Sequence, residues 1–232
     1  MITLSGKRRL AAAILVTSLS YPVWATEVTD AQKSSPEGKA QKPLANCGTP
    51  EWMTPPESHD GVFQGNLKMT CRLAIAAGTS IKELPFEALK TGIIQKIQSE
   101  SVIHSGPVEV KLNALPALQW DVTHHIQEDG NAVKIREEAI LQTDKKAHLL
   151  YQTHSKEVSA SNMAQYLEAV NFSLQVDLEP TQVLMQFKNE VRVRRPWYAL
   201  DLLFAPIASH ACLSKMEVVQ NKLLPWVTSF IE

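Results

Sequence analysis

Between Asn66 and Arg195 the chain is written in strand-length runs whose apolar residues fall on alternate positions. "NLKMTCRLAIAA" places Leu67, Met69, Cys71, Leu73 and Ile75 on one side and Asn66, Lys68, Thr70 and Arg72 on the other. A period of two suits a strand with one buried face, because successive side chains point to opposite sides of a sheet. Further runs follow: "PVEVKL", "ALQWDVTHHIQ", "NAVKIREEAIL", "AHLLYQTHSKEV", "AQYLEAVNFSLQVDL" and "QVLMQFKNEVRVR". Turn-forming "EDGN", "TDKK", "SASN" and "EPT" separate most of them, so an antiparallel meander is the simplest expectation.

Two segments change the period to that of a helix. "TSIKELPFEALKTGIIQKIQSE" spaces Leu84, Ala88, Leu89, Ile93 and Ile97 helically, and Pro85 is expected to divide it into two pieces. At the C-terminus Cys212, Met216, Val219, Leu223, Trp226 and Phe230 recur at steps of three and four, an apolar stripe that needs a sheet to lie on. Pro206 and Pro225 suggest a break near its start and a kink near its end. An α+β domain is therefore expected.

The chain has 232 residues, 44% of them hydrophobic and 20% charged, enough for one sizeable core. Residues 1–25 read as a signal peptide: Lys7, Arg8 and Arg9 precede "LAAAILVTSL", and "VWA" closes on small residues where cleavage occurs. The apolar run is about half the ~20 residues of a spanning helix. A periplasmic mature protein is expected. Cleavage would remove three of the 23 Lys+Arg and none of the 24 Asp+Glu, leaving 20 against 24 and no general attraction to nucleic acid. "TEVTDAQKSSPEGKAQKPLAN" lacks aromatics, and "CGTPEWMTPPESHD" carries Pro50, Pro55 and Pro56. Residues 26–60 are thus expected as a flexible, proline-containing lead-in to a domain spanning 61–232.

The order of a strand, a broken helical pair, six further strands and a long C-terminal helix resembles the START-like helix-grip superfamily, which includes lipid-transfer, pollen-allergen-like and polyketide-cyclase-like domains. The passage "VLMQFKNEVRVRRPWYALDLLFAPI" from last strand to terminal helix carries much of the likeness, and the resemblance covers about residues 61–232. It implies an incurved antiparallel sheet of about seven strands gripping the helix, with an apolar ligand held between them. The glycine-rich loop of the pollen-allergen branch is replaced by "NALPAL".

The richest cluster of titratable residues is "DVTHHIQEDGNAVKIREEAIL", Asp121 to Leu141. If Asp129 and Gly130 form a two-residue hairpin turn, Glu128 faces Asn131, Ile126 faces Val133, His124 faces Ile135 and Val122 faces Glu137. Neighbouring residues then part company: His125, Lys134, Arg136, Glu138, Asp121 and Thr123 share an outer, solvated face. His124 and Glu137 turn inward with Trp120 and lie on a diagonal that lets the carboxylate reach the imidazole. Glu168, on the face of Tyr166 and Val170, and Asn189, on the face of Phe187 and Val191, are expected to point the same way. With Phe172 and Met216 these make the expected ligand-binding set: His124, Glu137, Trp120, Glu168, Asn189, Phe172, Phe187 and Met216. No catalytic residue is assigned, although an acid/base step by His124 and Glu137 is the enzyme alternative.

Other chemistry is weaker. No CxxC, HxxxH or HxH spacing suggests a metal, no glycine loop suggests a phosphate, and no cofactor is expected. Ser209, His210 and Cys212 lack an orienting acid. Export makes a disulfide possible; Cys47 to Cys71 is the preferred candidate and Cys71 to Cys212 the alternative. "VRVRRPWYALDLLF" joins Arg192, Arg194 and Arg195 to aromatics, which would suit transient membrane contact or simply a solvated strand end. The expected function is an exported carrier of a hydrophobic small molecule or lipid. A cyclase or hydrolase, and a protein-interaction module with a filled core, are the alternatives.

Overall fold

A computed structural model describes residues 45–54, 56–75, 83–104, 106–128, 131–160, 165–197, 199–200, 204–210, 212–213, 216, 224 and 229. Its elements are β1 (Ala45–Cys47), β2 (Glu51–Trp52), β3 (Glu57–His59), β4 (Val62–Ala74), α1 (Phe86–Glu100), β5 (Ser101–Ile103), β6 (Val108–Leu112), β7 (Leu115–Glu128), β8 (Asn131–Thr143), β9 (His148–Ala160), β10 (Leu167–Leu178) and β11 (Gln182–Arg194). All the strands belong to one sheet, in the order β1-β4-β11-β10-β9-β8-β7-β5, with β2 and β3 also on β4 and β6 also on β7. Every pairing is antiparallel.

The expected meander is β7 to β11, and β4 joins it beside β11 rather than beside β7. The chain passes from β4 to the far side of the sheet through the segment that contains α1. The strand count exceeds the expected seven because short strands line both outer edges: β1, β2 and β3 along β4, β5 and β6 along β7. Residues 45–59, expected within a flexible lead-in, therefore include paired backbone. Two of the edge hairpins turn on residues with positive φ at both central positions, Asp60-Gly61 and Asn113-Ala114. That backbone twist matches the twist of the flanking strands.

One continuous apolar cluster forms the core. On the sheet the buried face takes the odd-numbered residues of β4 and β11, from Phe63 to Leu73 and from Val183 to Val193, all apolar except Asn189, as period two requires. Leu84, Phe86, Leu89 and Ile93 enter it from α1 and the residues just before it, whereas Ala88 is exposed. Pro85 immediately precedes α1: its carbonyl accepts the Leu89 amide at 3.0 Å, and at a helix start proline's missing N–H costs nothing. Residues 79–82 of the expected piece before it lie outside what is described, as does the side chain of Ile97.

The C-terminal segment is helical at 204–210, 212–213, 216 and 224. Among its described residues the buried ones are Phe204, Ala208, Cys212, Met216 and Leu224, and the first four recur every fourth residue, as one helical face turned to the core does. Phe204 meets Phe63 of β4 edge-on at 6.5 Å. Pro206 lies within the helical residues 204–210, two residues after Phe204, whose amide already donates to the Leu200 carbonyl at 3.0 Å, so the expected break is not seen at that position. Val219, Leu223, Pro225, Trp226 and Phe230 lie outside the described residues.

Candidate functional site

The β7–β8 ladder has the expected register: Glu128 opposite Asn131, Ile126 opposite Val133, His124 opposite Ile135, Val122 opposite Glu137. Asp129 and Gly130 themselves lie outside the described residues. His124 Nε2 stands 2.6 Å from Glu137 Oε1, and both side chains are 4% exposed. A buried carboxylate without a partner is costly, so this contact is what makes Glu137 tolerable inside the core.

Lateral rows across the sheet place the remaining inward residues. One row runs Leu67, Asn189, Phe172, Thr153, Ala139, Trp120, from β4 to β7. The next runs Met69, Phe187, Leu174, Tyr151, Leu141, Leu118. Trp120, Phe172, Phe187 and Asn189 are thus buried on the core side with His124 and Glu137, and Met216 is buried on the helix. Trp120 Nε1 and Asn189 Oδ1 find no hydrogen-bond partner.

Glu168 does not join them. Leu167 pairs with Val193 and Ala169 with Arg192, so Glu168 is an extra residue in a bulge that reverses the alternation. Leu167 turns inward, and Glu168 turns out to Arg194 at 2.6 Å and Arg192 at 3.1 Å. Arg192 and Arg194 are thereby tied to a carboxylate at the strand end. Trp197 and Leu200, just beyond, are exposed.

Tyr151 and Thr153 are inner-face polar residues that the sequence reading passes over; the alternation Leu149, Tyr151, Thr153 in "HLLYQTH" is the signal for them. Burial, and secondarily the charge of Glu137, push the Tyr151 hydroxyl well above the usual tyrosine range. It is a proton donor held neutral beside the His124–Glu137 pair.

The outer face of the same hairpin is an ion-pair lattice. Lys156 reaches Asp121 at 2.8 Å and Glu138 at 3.2 Å, with Arg136 3.6 Å from Asp121. The hydrogen bond from Lys156 is the main reason the Asp121 carboxyl falls below its ordinary range, and Arg136 assists. Thr123 departs from this expected solvated face: it is buried under His104, whose Nε2 lies 2.5 Å from its hydroxyl. The β5 strand, unforeseen as a partner of β7, puts His104 there.

Cys47 lies opposite Cys71 in the β1–β4 ladder and is bonded to it, which leaves Cys212 as a buried free thiol. Burial pushes that thiol up to about 12, so it is inert at neutral pH. Among the described residues no three His, Cys, Asp or Glu side chains gather as a metal cluster.

No protein-family model matches the sequence, and no curated protein does. Solved structures do. The human StarD13 (DLC2) lipid transfer and protein localization domain is 10% identical with a TM-score of 0.35, covering 74% of this chain and 88% of its own. Ara h 8.0201 is 14% identical with a TM-score of 0.32, covering 73% and 99%. A STAR-related lipid transfer protein fragment from Xanthomonas axonopodis is 7% identical with a TM-score of 0.30, covering 72% and 98%. At such overlap these structures bear on no residue's role.

Proposed function

We propose that the mature protein is a periplasmic carrier that holds a hydrophobic small molecule or lipid between the sheet and the C-terminal helix, meeting a membrane only transiently to load and release it. The observation that carries this reading is the buried His124–Glu137 pair set into a mainly apolar core face. An apolar surface with a few convergent polar groups is the usual make-up of a small-molecule site. Export is supported by the leader-like residues 1–25 and by the Cys47–Cys71 bridge, a bond that persists in oxidising compartments.

The test is expression of the full chain in a Gram-negative host, osmotic-shock fractionation, and native mass spectrometry with lipid extraction of the purified protein. A mature chain beginning near Thr26, released by shock and carrying an apolar ligand, is expected. A cytoplasmic, uncleaved chain overturns the export reading. A ligand-free protein that takes up no apolar probe overturns the carrier reading and leaves an interaction module with a filled core.

A second reading, a cyclase- or hydrolase-type enzyme, is favoured by one contact, the 2.6 Å approach of His124 to Glu137. An imidazole so oriented by a carboxylate has the arrangement of a general acid/base. Under this reading Glu137→Gln keeps the fold and loses turnover; under the carrier reading no turnover is found to lose.

A further inference from the structure

Packing does not account for two side chains on the inner face. Trp120 and Asn189 are each 2% exposed, yet Trp120 Nε1 and Asn189 Oδ1 have no hydrogen-bond partner. Phenylalanine at 120 and leucine at 189 would fill much the same space without leaving a polar atom unmatched. The two belong to one lateral row, with Phe172, Thr153 and Ala139 on the strands between them. Four strand spacings separate their backbones, about 19 Å along the sheet. Between them stand Phe172, Thr153 and Ala139, all buried, of which Thr153 and Ala139 are small.

The charges around the row are as informative as the orphaned atoms. Among the described residues no lysine or arginine is buried, and the one buried carboxylate, Glu137, already faces His124. A phosphate or carboxylate head in this core would meet no guanidinium or ammonium, and an ionised head buried without a partner is strongly disfavoured. One orphan donates and the other accepts, which matches uncharged oxygen groups.

We propose that this row recognises an elongated apolar molecule with an uncharged polar group towards each end: one oxygen accepts from Trp120 Nε1–H, and a hydroxyl or amide donor gives to Asn189 Oδ1. This deepens the carrier reading above and rests on it. It selects among hydrophobic ligands, favouring neutral diol-like or hydroxyketone-like molecules over fatty acids and phospholipids.

Three probes with the same apolar chain separate the possibilities: 1,12-dodecanediol, dodecan-1-ol and dodecanedioate. Binding to the full mature chain is measured by calorimetry at neutral pH, for wild type and for Trp120→Phe and Asn189→Leu. The diol is expected to bind roughly tenfold tighter than the alcohol, and the diacid more weakly than both. Each variant should weaken diol binding roughly tenfold and bring the diol-to-alcohol ratio close to one, which a purely structural role would not do. A thermal melt of each variant shows whether the fold persists. Diacid binding as tight as diol binding overturns the inference, as does a diol-to-alcohol ratio unchanged in both folded variants. If wild type binds none of the three, the carrier reading falls and the inference with it; if it binds diol and alcohol alike, only the inference falls.

Discussion

His124 and Glu137 sit on the diagonal of a hairpin ladder, His124 opposite Ile135 and Glu137 opposite Val122, and their side chains close to 2.6 Å inside the core. Removing one partner leaves the other polar group stranded. His124→Ala should cost about 3–5 kcal/mol, whereas replacing both by leucine and methionine should recover most of it, because a buried pair is worth little against well-packed apolar residues. Urea unfolding of the two single variants and the double variant measures the coupling; additive losses would show that the contact carries no energy.

The disulfide ties the short strand β1 to the edge of β4 across a sequence separation of 24. Closing a loop of that length restricts the unfolded chain by about 3–4 kcal/mol. Replacing Cys47 and Cys71 together by alanine should lower stability by a comparable amount, and dithiothreitol should have the same effect on the wild type and none on the double variant. Denaturant midpoints with and without reductant decide it.

Gly65 lies on the inner face of β4, where a Cβ would meet Cζ3 of Trp52 at 2.7 Å and Cε1 of Phe63 at 3.0 Å. The missing side chain lets the Trp52 ring from β2 settle edge-on to Phe63 at 6.3 Å. Gly65→Ala should destabilise by about 1–3 kcal/mol, the usual range for overpacking. In a Trp52→Leu background the same change should cost less, so the two substitutions are non-additive in thermal melts.

Cys212 gives the protein an alkaline limit. Its thiol has an ordinary value of 9.0 and is raised in the folded state to about 12 by burial. The folded chain therefore holds its proton longer than the unfolded chain. The resulting stability is complete below pH 9 and is lost as pH rises from 9 towards 12, up to about 4 kcal/mol. Cys212→Ala should lack this loss, so the stability difference between wild type and variant should shift in the variant's favour across that window. Tyr151, also raised, is common to both proteins and cancels. An unchanged difference from pH 8 to 11 would place the thiol in a wetter site.

The inner face of the β7–β8 hairpin can be read in the sequence because two local rules coincide there. An Asp-Gly pair favours a two-residue turn, and period two then assigns each of His124, His125, Glu137 and Glu138 to a side. The same rule misplaces Glu168, since nothing in "AQYLEAV" marks the bulge opposite Val193 and Arg192. That irregularity depends on the β11 arginines, which lie more than twenty residues away and draw the carboxylate outward. Thr123 is misread for a related reason: its cover, His104, directly follows a three-residue strand too short to show any period.

What the sequence determines alone is what is carried by local repetition: the strands of the meander and the faces of residues joined by a short turn. What only the tertiary structure decides is who lies beside whom over long distances. That β4 closes on β11, that Cys47 finds Cys71, and that Asn189 shares a row with Trp120 all follow from sheet order and strand register. The physical reason is that alternation tells a side chain which face to take but not its neighbour across the ladder, which is set by the closure of the whole sheet around one core.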